Sequence, residues 1–240
     1  MNLAGKNILI IGASGAIGKS CAVVLKQAGA NVSVTYNREL TSELNEFSDN
    51  SFQCDISSYE NIENLFKLYK ENVDKIDAVI NCSGVHSAAP LVGMSEEDTR
   101  KLIEVNLTGS IFISQLAVKA MMRKRAGVLI HMGSVSAHRM TRGHVTYSAT
   151  KAGIEGLVKS LAAEVAKRGI RVNAILPGPV MSPMLEKSIV QTGVNPADMV
   201  PMGKLIPAED IANACAFLVS DLSKMITGVC LPVDGGYLLI

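Results

Sequence analysis

Short apolar runs, "NILII", "NVSVTY", "SFQCD", "DAVIN", "GVLIHM" and "IRVNAIL", punctuate the chain, and between most of them apolar residues return every three or four positions. The runs have strand length and are continuous rather than alternating, which predicts strands covered on both faces. The intervening periodicity predicts helices. Strand and helix in strict alternation specify an α/β fold: a doubly wound parallel sheet of roughly seven strands with helices on both faces.

Two helical patterns are unusually long. One opens at Ser95, with Asp98 three residues on as a variant of the capping box, and runs to Arg125; the other spans Thr146–Arg168. From Pro177 the pattern weakens into prolines, glycines and methionines, and residues of about 181–207 are expected to form a mobile substrate lid. There Met181, Met184, Met199 and Met202 would serve either as an adaptable apolar wall or as core filler. "LPVDGGYLLI" closes the chain with a last strand and a turn at Asp234-Gly235-Gly236. With no repeat or linker, residues 1–240 are expected to form a single domain.

Bulk properties narrow the function. At 240 residues and 48% hydrophobic content the chain can bury one large core. Its 23 Lys+Arg against 22 Asp+Glu leave a net charge of +1, so no whole-molecule field draws nucleic acid or a membrane surface. No signal-peptide pattern opens the sequence and no uninterrupted apolar run approaches twenty residues, so a soluble cytoplasmic protein is expected. The odd set of cysteines, Cys21, Cys54, Cys82, Cys215 and Cys230, has no CxxC spacing and reads as free thiols. His86, His131, His138 and His144 lack zinc-site spacing, so no metal is expected; His138 and His144, just before Tyr147, could touch a substrate.

The candidate chemistry begins at "ILIIGASGAIG". A glycine-rich turn between a first strand and its helix lets backbone N–H groups meet a pyrophosphate at the positive end of the helix, as in Rossmann-type dinucleotide sites. Gly12 would allow the tight turn and Gly18 close helix packing, although such turns also serve purely structural roles. The second strand ends in "VTYNRE", with no carboxylate directly at its end to grip a ribose 2′-hydroxyl and with Arg38 beside Asn37 instead. That arrangement favours NADPH over NADH, unless Arg38 is only a solvated surface charge. Further on, "TYSATK" places Tyr147 and Lys151 on one helix face, where an ammonium would stabilise a phenolate and lower the Tyr147 pKa. Ser134 follows the strand "GVLIHM" at the carboxyl edge, where the ligand crevice of such sheets lies.

These pieces, with Asp55, "NCSG", Asn106 in "VNLTG", "PGPV" and "VDGG", resemble the short-chain dehydrogenase/reductase family over the whole chain. The resemblance implies that Tyr147 protonates a carbonyl oxygen as hydride arrives from the nicotinamide. Ser134 would bond the same oxygen, Lys151 would hold the nicotinamide ribose and tune Tyr147, and Asn106 would support a water-linked proton path. It further implies a cofactor held by Gly12, Ser14, Gly15, Ile17, Gly18, Asn37 and Arg38, by Asp55 and Ile56 at the adenine, by Asn81, Ser83 and Gly84 at its ribose, and by Pro177, Gly178 and Val180 at the nicotinamide. The loop departs from the compact members of the family: Ile11 and Ala16 replace a threonine and a glycine, and Gly15 comes one residue early.

Within the family, "MMRKRAGVLIHMGS" and "SLAAEVAKRGIRVNAILPGPV" are most similar to 3-oxoacyl-acyl-carrier-protein reductases. That likeness implies an acyl carrier protein as partner, docked near the cleft by Arg125 and Arg168, and a homotetramer built on the two long helices. An NADP-dependent dehydrogenase of a free small alcohol, sugar or steroid is the alternative enzyme, and a non-catalytic NADPH-binding regulator the alternative of another class.

Overall fold

The computed structural model describes residues 1–181, 185, 189 and 195–240. Its strands are β1 (Asn7–Ile11), β2 (Asn31–Tyr36), β3 (Asn50–Gln53), β4 (Ala78–Asn81), β5 (Gly127–Met132), β6 (Ile170–Pro177) and β7 (Cys230–Val233). They form one seven-stranded sheet in the order β3-β2-β1-β4-β5-β6-β7. Every pairing is parallel.

Strand alternation divides the apolar residues between two cores. Ile8, Ile10, Val32, Val34, Ile80 and Ile130 face α1 (Ala16–Gln27) and a late helix, α7 (Ala208–Val219), while Leu9, Ile11, Val79, Leu129 and Val172 face the other way. On that second side lie α3 (Tyr59–Asn72), α5 (Gly109–Met122) and α6 (Val145–Val165); α2 (Ser42–Glu46) is a short turn at the sheet margin. Burial on both faces is why these strands read as unbroken apolar runs.

The first long helix is not uniform. It begins as expected, with the Ser95 hydroxyl accepting from Asp98 N at 3.0 Å and donating to the Asp98 carboxylate at 2.8 Å. Yet α4 (Glu96–Ile103) gives way to a π-helical turn at Glu104–Thr108, and α5 then runs only to Met122. The bulge centres on the buried Asn106. By length and composition Glu96–Met122 is apolar enough to cross a membrane; half of its most apolar 18-residue window is instead buried within the fold.

The expected lid falls in large part on residues 182–184, 186–188 and 190–194, Met184 among them, and these lie outside the described residues. Its later portion is anchored. Val200 and Ile206 are buried, and Ile206 exchanges backbone hydrogen bonds with Pro179 and Met181 at 2.8 and 3.3 Å.

Candidate active site

Sequence order reverses between β1 and β4, and in open α/β sheets a ligand crevice opens at the carboxyl ends of the strands at such a point. Both glycine-bearing turns meet there. The loop after β1 turns through Gly12 at φ 76°, and a Cβ at that position would stand 2.6 Å from Ser83 Cα in the turn after β4. A Cβ at Gly18 would lie 2.6 Å from the Gly12 carbonyl, so α1 packs against the loop only because that residue is glycine. Thr35, which sequence reasoning missed, pins the loop: its hydroxyl accepts from Gly12 N at 3.0 Å and its carbonyl from Ala13 N at 2.9 Å.

Two cavities share Cys82, Ser83, Gly84, Val85 and Lys101 and so form one crevice. The larger, about 770 Å³, is lined among others by Gly12, Ser14, Gly15, Asn37, Arg38, Asp55 and Ile56. The second, about 480 Å³, is lined by Ile17, Ser134, Tyr147, Lys151, Pro177, Gly178 and Val180 together with His86. Most of the residues expected to contact a cofactor therefore line one crevice, those expected at the adenine in the larger cavity and those expected at the nicotinamide in the smaller. A dinucleotide fits the larger end on three grounds. Helix α1 has Gly15 at its N-cap and so no side-chain cap, leaving its first N–H groups for a ligand, and a Cβ at Gly15 would meet only open space short of 3.9 Å. Arg38 faces the same cavity with no ion pair among the described residues, although Glu39 also lines it.

Two expected cofactor contacts, Gly18 and Asn81, and the expected catalytic Asn106 stand behind the groove instead. Gly18 is consumed by helix packing. Asn106, 1% exposed, brackets Val85: its amide oxygen accepts from Val85 N at 2.8 Å and its Nδ2 donates to Val85 O at 2.9 Å. Asn81 holds Ser83, its Oδ1 accepting from the Ser83 backbone N–H at 3.2 Å and from the Ser83 hydroxyl. Asn81 Nδ2 donates to Ser110 Oγ at 3.0 Å and lies 3.2 Å from His131 Nδ1, and Ser110 Oγ donates to Asn106 O at 2.8 Å. His131 Nε2 is 2.9 Å from Ser114 Oγ, which donates to Ser110 O at 2.7 Å. One proton arrangement satisfies every member: a neutral His131 carrying its hydrogen on Nε2. Complete burial and the Lys151 charge push its pKa down to about 3, in keeping with a neutral ring.

At the catalytic end, Ser134 follows β5 and Tyr147 and Lys151 rise from the first turns of α6. Lys151 is 4% exposed, donates to Met132 O at 2.9 Å and has its Nζ 5.7 Å from the Tyr147 ring centre. Desolvation lowers its pKa to about 8, which leaves it mostly charged at neutral pH. The Tyr147 phenol departs from expectation: burial raises its pKa, and the compensating pull comes from the Ser134 hydroxyl rather than from the lysine. The ammonium is aimed at the Met132 carbonyl, which explains the difference. Asp234 braces the floor, since its carboxylate caps the N–H groups of Gly236 and Leu238 at 2.9 and 3.0 Å and a Cβ on Gly178 would sit 2.8 Å from Asp234 Cα.

Arg125 and Arg168 are not beside this cleft. They immediately precede β5 and β6, at the amino edge of the sheet, whereas the crevice lies at the carboxyl edge. They do lie close together, with Arg125 Nη2 donating to Lys167 O at 2.7 Å. Likewise His138 points away from the cavities to Glu155, 2.6 Å from its Nε2, while His144 stands beside Tyr147. The cysteines are all free, and no metal-binding group of three or more His, Cys, Asp or Glu occurs among the described residues.

A switch-point crevice with a glycine loop at one end and a Ser, Tyr and Lys group at the other defines a dinucleotide-binding α/β protein. The family profile described as enoyl-(acyl carrier protein) reductase matches residues 12–238. The chain is 35% identical over 241 residues to 3-oxoacyl-acyl-carrier-protein reductase FabG of Rickettsia felis and 34% identical over 244 residues to that of Escherichia coli K12, covering 100% of both partners in each comparison. A solved structure described as ElxO with NADP bound superposes with a TM-score of 0.91 at 27% identity, covering 98% of this chain and 100% of the other. The chain belongs to the short-chain dehydrogenase/reductase family.

Proposed function

We propose that the protein is an NADPH-dependent ketoreductase that converts a 3-oxoacyl thioester, carried on an acyl carrier protein, to its 3-hydroxyacyl form in fatty acid or polyketide-like biosynthesis in the cytoplasm. The observation that carries the reading is the unbroken groove from the glycine loop to Ser134 and Tyr147, in a chain whose full length matches 3-oxoacyl-acyl-carrier-protein reductases.

Bound in this groove, a reduced nicotinamide would supply the hydride. Gly12, Ser14 and the first N–H groups of α1 would hold the pyrophosphate, Asp55 and Ile56 would border the adenine, and Arg38 would offer its guanidinium to a 2′-phosphate. Tyr147 donates its proton to the ketone oxygen, the Ser134 hydroxyl orients that oxygen, and the Lys151 ammonium stabilises the phenolate left behind. A raised phenol pKa keeps the proton on Tyr147 until a substrate takes it. Asn106 holds the Val85 turn that separates the two ends of the groove, and we assign it the water-linked return path of the proton.

Oligomerisation into a homotetramer is supported by exposed apolar side chains along the α4–α5 unit, Ile103, Ile111 and Met122, and at the C-terminus, Leu239 and Ile240. In such an assembly Arg125 and Arg168 would receive a carrier protein that serves the cleft of a neighbouring subunit, because within one subunit they face the opposite edge. The cofactor half of the reading is tested by Arg38→Ala, with KM for NADPH expected to rise roughly tenfold as a charge-assisted contact of about 1.5 kcal/mol is lost, and KM for NADH to stay put. An equal rise for both cofactors would remove Arg38 from the 2′-phosphate site.

A further inference from the structure

Beside the catalytic tyrosine stand two imidazoles that the reduction chemistry does not use. The His86 ring centre lies 4.9 Å from that of Tyr147 in an edge-on arrangement and 4.9 Å from that of His144. Their placement is built in: Ala89 N donates to Gly143 O at 3.0 Å, tying the loop after β4 to the loop before α6, and Gly143 takes a φ of 85° that favours glycine. His86 lines the same cavity as Ser134 and Tyr147 and makes no hydrogen bond among the described residues. His144 Nδ1 donates to Arg142 O at 3.3 Å, which fixes its ring behind that of His86.

An unpartnered ring N–H beside the group that protonates a ketone can serve a second polar atom of the same substrate. In a 3-oxoacyl thioester that atom is the C1 carbonyl oxygen, one methylene away from the ketone carbon. We propose that His86, positioned by His144, forms a subsite for the second carbonyl of a 1,3-dicarbonyl substrate and so selects 3-oxoacyl thioesters over simple ketones. Burial and the adjacent His144 lower the His86 pKa, so the ring is neutral at physiological pH and suits a carbonyl better than a carboxylate, which would call for an imidazolium. The inference rests on the reductase reading and adds the group that recognises its substrate.

The test measures kcat/KM with NADPH for acetoacetyl-N-acetylcysteamine and for a ketone thioether of the same length that lacks the C1 oxygen. In His86→Phe the ratio of the two values is expected to fall about tenfold, the loss of one hydrogen bond made to the substrate, and in His86→Asn, which keeps an N–H donor, to recover in part. Thermal melting of both variants separates this effect from misfolding. An unchanged ratio in His86→Phe, with both substrates still reduced, would overturn the subsite alone. Failure of the unaltered protein to reduce these compounds and the same 3-oxoacyl group on an acyl carrier protein would overturn the reductase reading and the subsite with it.

Discussion

Tyr147 and His131 show how burial sets chemistry at single residues. Tyr147→Phe removes the phenol that lines the cavity with Ser134, and kcat is expected to fall by about 10²–10⁴, with NADPH affinity, read by cofactor fluorescence, within about threefold of the parent. A comparable loss of both would point to a structural role for the phenol. His131 gives a pH prediction. Its folded pKa of about 3 lies below the ordinary 6.5, so its contribution to stability is full above pH 6.5 and is lost as pH falls towards 3. Denaturant unfolding between pH 7 and 4 is therefore expected to show stability falling by up to about 1.4 kcal/mol per pH unit on account of this ring. His131→Gln flattens that slope, and an unaltered slope would mean that other groups carry the acid sensitivity. The Lys151 ammonium, which also disfavours protonation of His131, remains in both proteins.

At the scale of elements, the glycine loop carries the sharpest steric demand. Gly12→Ala would place a methyl group 2.6 Å from Ser83 Cα at a positive φ, straining both turns of the groove. A stability loss of about 1–3 kcal/mol and at least tenfold weaker NADPH binding are expected, measured by thermal melting and fluorescence titration. Strand positions, both long helices and the Ser95 cap were legible because apolar runs and capping residues are local signals. The π-turn at Asn106 was not, since it arises from tertiary bonds to Val85 and Ser110 that no spacing announces. Asn106, Ser134, Tyr147 and Lys151 were legible as a set through family resemblance, and the structure gathers the last three at one cavity. Thr35, Lys101 and His86 were missed because a polar residue in a strand, a lysine on an acidic helix and a lone histidine have ordinary readings until the fold brings them to one crevice; of the two histidines expected near a substrate, His144 stands beside Tyr147 and His138 does not. Arg125 and Arg168 show the reverse: positions taken from resemblance lie, in a single subunit, at the far edge of the sheet.

For the whole molecule, near-zero net charge and exposed apolar residues on α4–α5 and the C-terminus predict self-association without long-range attraction to anions. Light scattering is expected to give four times the chain mass, and Ile111→Glu, on the outer face of α5, to shift it to a smaller species; a monomeric parent protein would remove the proposed tetramer and with it the carrier-docking role of Arg125 and Arg168. The central claim is reduction of a carrier-bound 3-oxoacyl thioester by NADPH, and its most direct test follows loss of NADPH absorbance with the same acyl group on an acyl carrier protein and on a small thiol. Turnover that is faster with the carrier, and abolished in Tyr147→Phe, is the predicted result. No turnover with either thioester, despite saturable NADPH binding, would contradict it and direct the search to a free alcohol or to a cofactor-binding protein without catalysis.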